Sequence, residues 1–178
     1  MRLTAIFILA AACLPGATSW YVTKAAPQET PLHLGDTFEI TVHAPFRTAV
    51  ALFGAHGERG WGGKDWDPKF LYPQPEQDKA GAVFFAGHEP WVMTAFDPEK
   101  GHVQYVIFRG EVLITLLDIH LDAVDSGNTR VNVSYEWTAL KPEANEHIRH
   151  MAEAHRGTGK HWETAINSYL QGQAKSAK

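Results

Sequence analysis

Alternation of apolar and polar side chains is clearest in two segments toward the end of the chain. In residues 112–123, Leu117, Ile119 and further apolar residues take every second position, while Asp118, His120 and Asp122 take positions between them. Residues 129–140 alternate in the same way. A period of two residues is that of a β-strand with one buried face and one wet face. The pattern therefore predicts two long strands, each apolar on one face.

Shorter strand-like runs precede these two segments. They lie at residues 37–43, 70–72, 82–86, 91–96 and 102–108, and a short helix is predicted at residues 46–53. Turn-forming residues at 97–101 and 125–128 separate the later runs. Because these connections are too short for crossover helices, we expect one antiparallel sheet of about seven strands.

A long C-terminal helix is predicted to cover the apolar face of that sheet. It begins at Pro142, which suits a first helical position, and extends to about Gln171. At 3.6 residues per turn, one apolar stripe contains Ile148, Met151, His155, Trp162, Ile166 and Tyr169. Gly157 and Gly159 interrupt the stripe, and each costs roughly 1 kcal/mol relative to alanine in a helix, so a kink or frayed turn is expected there.

The first residues have the pattern of a secretory signal peptide. Arg2 precedes an apolar run over residues 3–14, and small residues end at Ser19. The pattern predicts cleavage after Ser19, a periplasmic or secreted mature protein and no stable membrane span after cleavage, with lipidation of Cys13 as an alternative. We expect a tether over residues 20–35, one domain over 36–173 and a disordered tail over 174–178.

Composition narrows the classes of function. With 44% hydrophobic and 20% charged residues, the chain has the material for a packed core. A net charge of −4 and the lack of a Lys/Arg stripe argue against nucleic acid as a partner. Cys13 is the only cysteine, so a chain cleaved after Ser19 would have no disulfide, thiol nucleophile or cysteine metal ligand.

Several motifs combine aromatic, glycine and acidic residues. They include Leu52-Phe53, Gly57-Glu58-Arg59-x-Trp61, Trp66-Asp67-Pro68-x-Phe70-Leu71 and Trp162-Glu163-x-Ala165-Ile166-Asn167. Together with the order of elements, they resemble the SRPBCC superfamily, which contains START, birch-pollen-allergen-like and polyketide cyclase-like proteins. The resemblance implies an α+β helix-grip fold, with an antiparallel sheet wrapped around a long C-terminal helix and an apolar cavity between them.

Three classes of function are compatible with such a cavity. The leading hypothesis is an exported protein that binds an apolar or aromatic small molecule or a lipid, with no cofactor. The alternatives are a polyketide cyclase/dehydratase-like enzyme and a partner-binding module with a filled core. The candidate ligand-binding residues are Trp61, Trp66, Trp91, Met93, Tyr105, Leu117, Tyr135, Met151, His155 and Trp162. Tyr105, Leu117, Tyr135 and Trp162 are predicted to line one continuous cavity.

Catalytic and metal-binding roles receive less support from the sequence. His155, Glu58 and Tyr135 are candidates for acid–base chemistry. For His155 we favour a core histidine bonded to a backbone group or water. Two interpretations fit Glu58, Trp61 and Trp66. They form either the mouth of the cavity or a packing motif in which Glu58 pairs with a basic residue. Asp118, His120 and Asp122 share one strand face, but a solvated outer face is favoured there, and no metal site is predicted.

Overall fold

The computed structural model describes residues 29–176, which form one seven-stranded antiparallel sheet and a set of helices. The strands are β1 (His33–Val42), β2 (Lys69–Tyr72), β3 (Val83–Ala86), β4 (Glu89–Asp97), β5 (His102–Arg109), β6 (Leu113–Ala123) and β7 (Thr129–Ala139). The helices are α1 (Phe46–Ala51), α2 (Ala55–Glu58), a 3-10 turn (Pro142–Ala144), α3 (Asn145–Ala154) and α4 (Thr158–Ser176). None of these helices is both long and apolar enough to span a membrane.

The sheet has the strand order β1-β7-β6-β5-β4-β3-β2, so the first strand closes against the last. The helices lie on its inner face, where alternate residues such as Leu117, Ile119 and Val133 are buried. Ile166 of α4 is fully buried in the same core. This arrangement confirms the predicted α+β helix-grip fold.

The ends of the domain differ from the predicted boundaries. β1 begins at His33 rather than Asp36, because Leu34 already pairs with Trp137 of β7. Just before it, the Leu32 backbone N–H donates to Asn145 Oδ1 at 2.7 Å. At the other end, α4 continues to Ser176, beyond the predicted start of the tail. The predicted signal peptide and residues 20–28 of the tether lie outside the described residues.

The C-terminal helix is interrupted where its glycines predicted a break. α3 ends at Ala154 and α4 begins at Thr158. Between them Gly157 has φ +87°, a backbone conformation that costs other residues energy. Gly159 is buried, and a Cβ at this position would lie 2.8 Å from the ring of Phe38. The two glycines therefore turn the chain and let α4 approach β1.

Candidate functional site

A cavity of about 210 Å³ lies between the inner face of the sheet and α4. Its lining comes from the α2 region, the sheet and α4, and comprises Glu58, Trp61, Gly62, Trp66, Trp91, Leu117, Tyr135, His161 and Trp162. Gly62 and His161 are exposed, whereas Leu117 and Trp91 are buried. The cavity therefore runs from a mouth at Gly62 and His161 toward the core.

Packed indole rings make most of its wall. The ring centroids of Trp61 and Trp162 are 5.1 Å apart, and those of Trp66 and Trp91 are 5.3 Å apart, both in edge-to-face geometry. Trp61 Nε1 donates to the Leu52 carbonyl at 2.7 Å, and Trp66 Nε1 donates to the Ala55 carbonyl at 3.1 Å. These bonds hold both indoles against the helices, so Trp61 and Trp66 act in packing and also form the cavity wall.

Glu58 places a carboxyl group in this apolar surrounding. Its exposure is 5%, and its Oε1 atom is buried with no hydrogen-bond partner in the part of the chain that the structure describes. Burial, together with the negative charge of Asp78, raises the pKa of Glu58 well above its usual value. The neighbouring Arg59 binds Glu76 at 3.1 Å instead. A basic partner for Glu58 was one sequence expectation, and the structure places none within bonding distance among the described residues.

Trp91 presents a second orphaned polar atom at the cavity. Its Nε1 donor is buried and has no partner among the described residues. A buried donor or acceptor without a partner costs roughly 1–3 kcal/mol. Two of the residues that line the cavity, Glu58 and Trp91, therefore each carry a buried polar atom whose hydrogen-bonding capacity is unused among the described residues.

A second pocket of about 290 Å³ opens where α3 and α4 meet. Its lining residues are Arg109, Tyr135, Trp137, Met151, Ala154, His155 and Thr158. Tyr135 is shared with the first cavity and separates the two. Burial raises the pKa of the Tyr135 phenol, so this group stays protonated.

His155 in this pocket is oriented by a carboxylate. Its Nδ1 lies 2.9 Å from Asp36 Oδ2 on β1, and its ring packs 4.3 Å from that of Tyr135. Its Nε2 is buried without a partner among the described residues. The structure places His155 half-buried, and its partner is the Asp36 carboxylate rather than the backbone group or water favoured from the sequence.

The candidate ligand-binding residues divide into three sets. Trp61, Trp66, Trp91, Leu117, Tyr135 and Trp162 line the first cavity, and Met151 and His155 line the second pocket with Tyr135. Met93 and Tyr105 are fully buried and line neither space. Tyr105 donates its hydroxyl to the Phe53 carbonyl at 2.7 Å, so its polar end is used within the core. The predicted continuous lining therefore lacks Tyr105.

The outer face of the sheet has a separate polar cluster. Asp118 Oδ1 lies 2.7 Å from His102 Nε2, and Asp118 Oδ2 lies 3.1 Å from His120 Nε2. Partial burial opposes ionisation of Asp118, but hydrogen bonds from His102 and Gln104 outweigh it and lower its pKa. Asp122 stays outside the cluster and lies 3.5 Å from Arg130. His102 was not assigned to this cluster from the sequence, because its position beside Asp118 depends on how β5 pairs with β6.

Comparison with known proteins supports the fold. No protein-family model matches the sequence, and no curated protein matches it significantly. Norcoclaurine synthase from Thalictrum flavum, in complex with dopamine and hydroxybenzaldehyde, superposes with a TM-score of 0.58 at 13% identity, covering 95% of this chain and 98% of its own.

Two further solved structures are similar at the same level. Ara h 8.0201 gives a TM-score of 0.53 at 15% identity, covering 79% of this chain and 99% of its own. An uncharacterised protein from Rhizobium leguminosarum gives 0.53 at 15% identity, covering 80% and 97%. The chain thus has the helix-grip fold of the birch-pollen-allergen-like SRPBCC proteins that its sequence resembles.

Proposed function

We propose that this chain is an exported protein that binds a small, largely aromatic molecule with a polar group in the cavity under α4. The observation that carries the proposal is that Glu58 and Trp91, which both line a cavity walled by tryptophans, each have a buried polar atom with no hydrogen-bond partner among residues 29–176. Pockets that combine an apolar lining with a few placed polar groups are typical of small-molecule binding.

The wall chemistry favours a flat apolar ligand. Trp61, Trp66, Trp91, Tyr135 and Trp162 present rings on several sides of the same space. Aromatic rings gain roughly 0.5–1.5 kcal/mol per well-placed pair beyond the area they bury. A planar ring is therefore the shape that such a wall stabilises most.

The polar atoms define the other end of the ligand. The raised pKa of Glu58 keeps its carboxyl protonated to higher pH, so it can both donate and accept a hydrogen bond. The Trp91 N–H can only donate. A hydroxyl or carbonyl group on the ligand would meet both requirements without a buried charge.

The volume of the cavity favours a small ligand over a large lipid. About 210 Å³ is close to the roughly 150 Å³ of an engineered cavity that holds benzene, and below the roughly 300–1,000 Å³ of pockets for drug-sized ligands. The fold accommodates molecules of this kind elsewhere, since norcoclaurine synthase was solved with dopamine and hydroxybenzaldehyde. One- or two-ring phenols are the ligand class that fits best.

Calorimetry with a matched pair of probes tests this proposal. We expect p-cresol to bind more tightly than p-xylene, which has the same shape but no hydroxyl, and palmitate to bind worse than either. A net hydrogen bond of about 0.5–1.5 kcal/mol corresponds to a preference of roughly two- to twelvefold. Trp91→Phe should reduce that preference. Trp137→Phe removes an indole N–H in the second pocket instead, so it should leave the preference unchanged. Saturable binding of palmitate alone, or equal affinity for both probes, would contradict the proposal.

Export is a separate part of the proposal and depends on the sequence pattern of residues 1–19. N-terminal sequencing of the protein from its native cells should find a chain that begins near Trp20. Intact Met1 on cytoplasmic protein would reject export and leave ligand binding untouched.

The second candidate function is acid–base catalysis in the pocket between α3 and α4. It is favoured by the Asp36–His155 pair, because a carboxylate on Nδ1 orients the ring and leaves Nε2 for proton transfer. If His155 is catalytic, His155→Gln should lower turnover about 10²- to 10⁴-fold while retaining the fold and p-cresol affinity. A change in stability alone, with no turnover to lose in a screen of cyclisation and dehydration substrates, would reject this candidate.

A further inference from the structure

We propose that His102, Asp118 and His120 form a binding site for a divalent transition-metal ion of the zinc class on the outer face of the sheet. The cavity under α4 takes no part in this site. The three side chains belong to two neighbouring strands, β5 and β6. Their donor atoms all lie within 4.8 Å of one another.

The strand register brings these residues together. His102 of β5 is directly opposite His120 of β6, and Gln104 is opposite Asp118. Since residues two apart on a strand share a face, Asp118 and His120 project to the same side as His102. The pairing continues without a bulge from His102 to Arg109. Sites built on paired strands are held more rigidly than sites on loops.

The distances approach those of a coordination sphere. The Nε2 atoms of His102 and His120 lie 2.7 Å and 3.1 Å from the two carboxylate oxygens of Asp118. Tetrahedral zinc with ligands at about 2.0–2.2 Å separates its ligand atoms by roughly 3.3 Å. The imidazole rings are nearly parallel, at 6°, with centroids 4.4 Å apart. Small side-chain rotations would let all three groups bind one ion.

The type of ligand selects the class of ion. Imidazole nitrogens combined with one carboxylate suit zinc, copper, nickel or iron, whereas magnesium and calcium prefer oxygen ligands only. Gln104 supports the arrangement because its Nε2 donates to Asp118 Oδ1 at 3.1 Å. Such outer partners orient metal ligands and raise affinity.

The site has an open side. Asp118 and His120 also line a groove of about 400 Å³ on the outer face, whose polar residues include Thr37, Glu39, Asn132 and Ser134. Three protein ligands leave a coordination position for water or for a polar ligand, as in catalytic rather than structural zinc sites. The groove gives such a ligand access to the ion.

Metal titration of the full chain, without an affinity tag, tests this proposal. We expect about one Zn²⁺ per chain by isothermal titration calorimetry, and visible absorption bands when Co²⁺ is used instead. His102→Gln and His120→Gln should each weaken Zn²⁺ binding by at least the roughly 10–100-fold typical of lost outer-shell partners. His150→Gln is the matched control, because His150 is an exposed histidine 3.3 Å from Glu146, and it should leave the affinity unchanged.

Far-UV circular dichroism checks that the variants remain folded. The side chain of His120 is 57% exposed, so His120→Gln keeps the test valid even if His102→Gln fails to fold. The proposal is overturned if the wild-type chain shows no saturable Zn²⁺ binding. It is also overturned if His120→Gln leaves the affinity unchanged, or if His150→Gln lowers it as much as His120→Gln does.

Discussion

The cavity and the outer face of the sheet each contain a carboxyl group, and the two environments shift its pKa in opposite directions. Glu58 is buried among tryptophans, no positive group within residues 29–176 pairs with it, and its pKa is raised. Asp118 is only partly buried and receives hydrogen bonds from His102 and Gln104, and its pKa is lowered. Desolvation decides the first case and hydrogen bonding the second. The inner cavity therefore disfavours a buried negative charge, whereas the outer face stabilises one.

The same contrast holds along a single strand. Leu117 of β6 lines the cavity, and the next residue, Asp118, lies on the outer groove. Because alternate residues point to opposite faces, one strand contributes to two unrelated environments. Substitutions at equivalent positions on the two faces measure how different these environments are.

The largest difference is expected for two adjacent leucines. Leu117→Ala should lower the free energy of unfolding by about 2–5 kcal/mol, because Leu117 is 1% exposed and its loss enlarges the cavity. Leu116→Ala, on the half-buried outer face, should cost clearly less. Urea denaturation measures both values. Equal losses would show that the two faces are packed alike.

A smaller difference is expected for two hydroxyl groups. Tyr105→Phe removes a buried donor to the Phe53 carbonyl and should cost about 1–3 kcal/mol, because that carbonyl then lacks a partner. Thr94→Val removes an exposed bond to Gln104 and should stay within about 0.5 kcal/mol. Thermal unfolding compares the two variants. A Thr94→Val loss as large as that of Tyr105→Phe would contradict the assignment of the two faces.

Per pH unit, the smallest expected effect is a pH dependence caused by Glu58. Its pKa is raised in the folded state, so above its usual value of 4.5 the folded chain binds more protons than the unfolded chain. The free energy of unfolding should therefore fall with rising pH by at most about 1.4 kcal/mol per pH unit, until the folded pKa is passed. Glu58→Gln removes this contribution.

The measurement is the difference in unfolding free energy between wild type and Glu58→Gln from pH 4.5 to 8. Titrations of groups that do not interact with Glu58 cancel in that difference. We expect the wild type to lose stability relative to the variant as the pH rises. A difference that does not change with pH would mean that folding does not raise the pKa of Glu58.

Much of the fold could be predicted from local patterns. The phases of β6 and β7 and the break at Gly157 follow from the spacing of apolar residues and from backbone preferences. The cavity wall was predicted in part, since Trp61, Trp66 and Trp162 carry the resemblance and also line the space. Tyr105 shares the inner face with Leu117, yet its hydroxyl donates to the Phe53 carbonyl inside the core. Alternation alone does not determine how deep a side chain lies.

The sequence by itself determined which residues face inward and which outward, because strand and helix periods are properties of the local backbone. Only the tertiary structure decided which distant side chains meet. Asp36 and His155 are 119 residues apart and are joined by the packing of the α3–α4 junction on β1. His102 joins Asp118 through the register of β5 on β6. The state of Glu58 likewise depends on what surrounds it, since desolvation is a property of the folded protein.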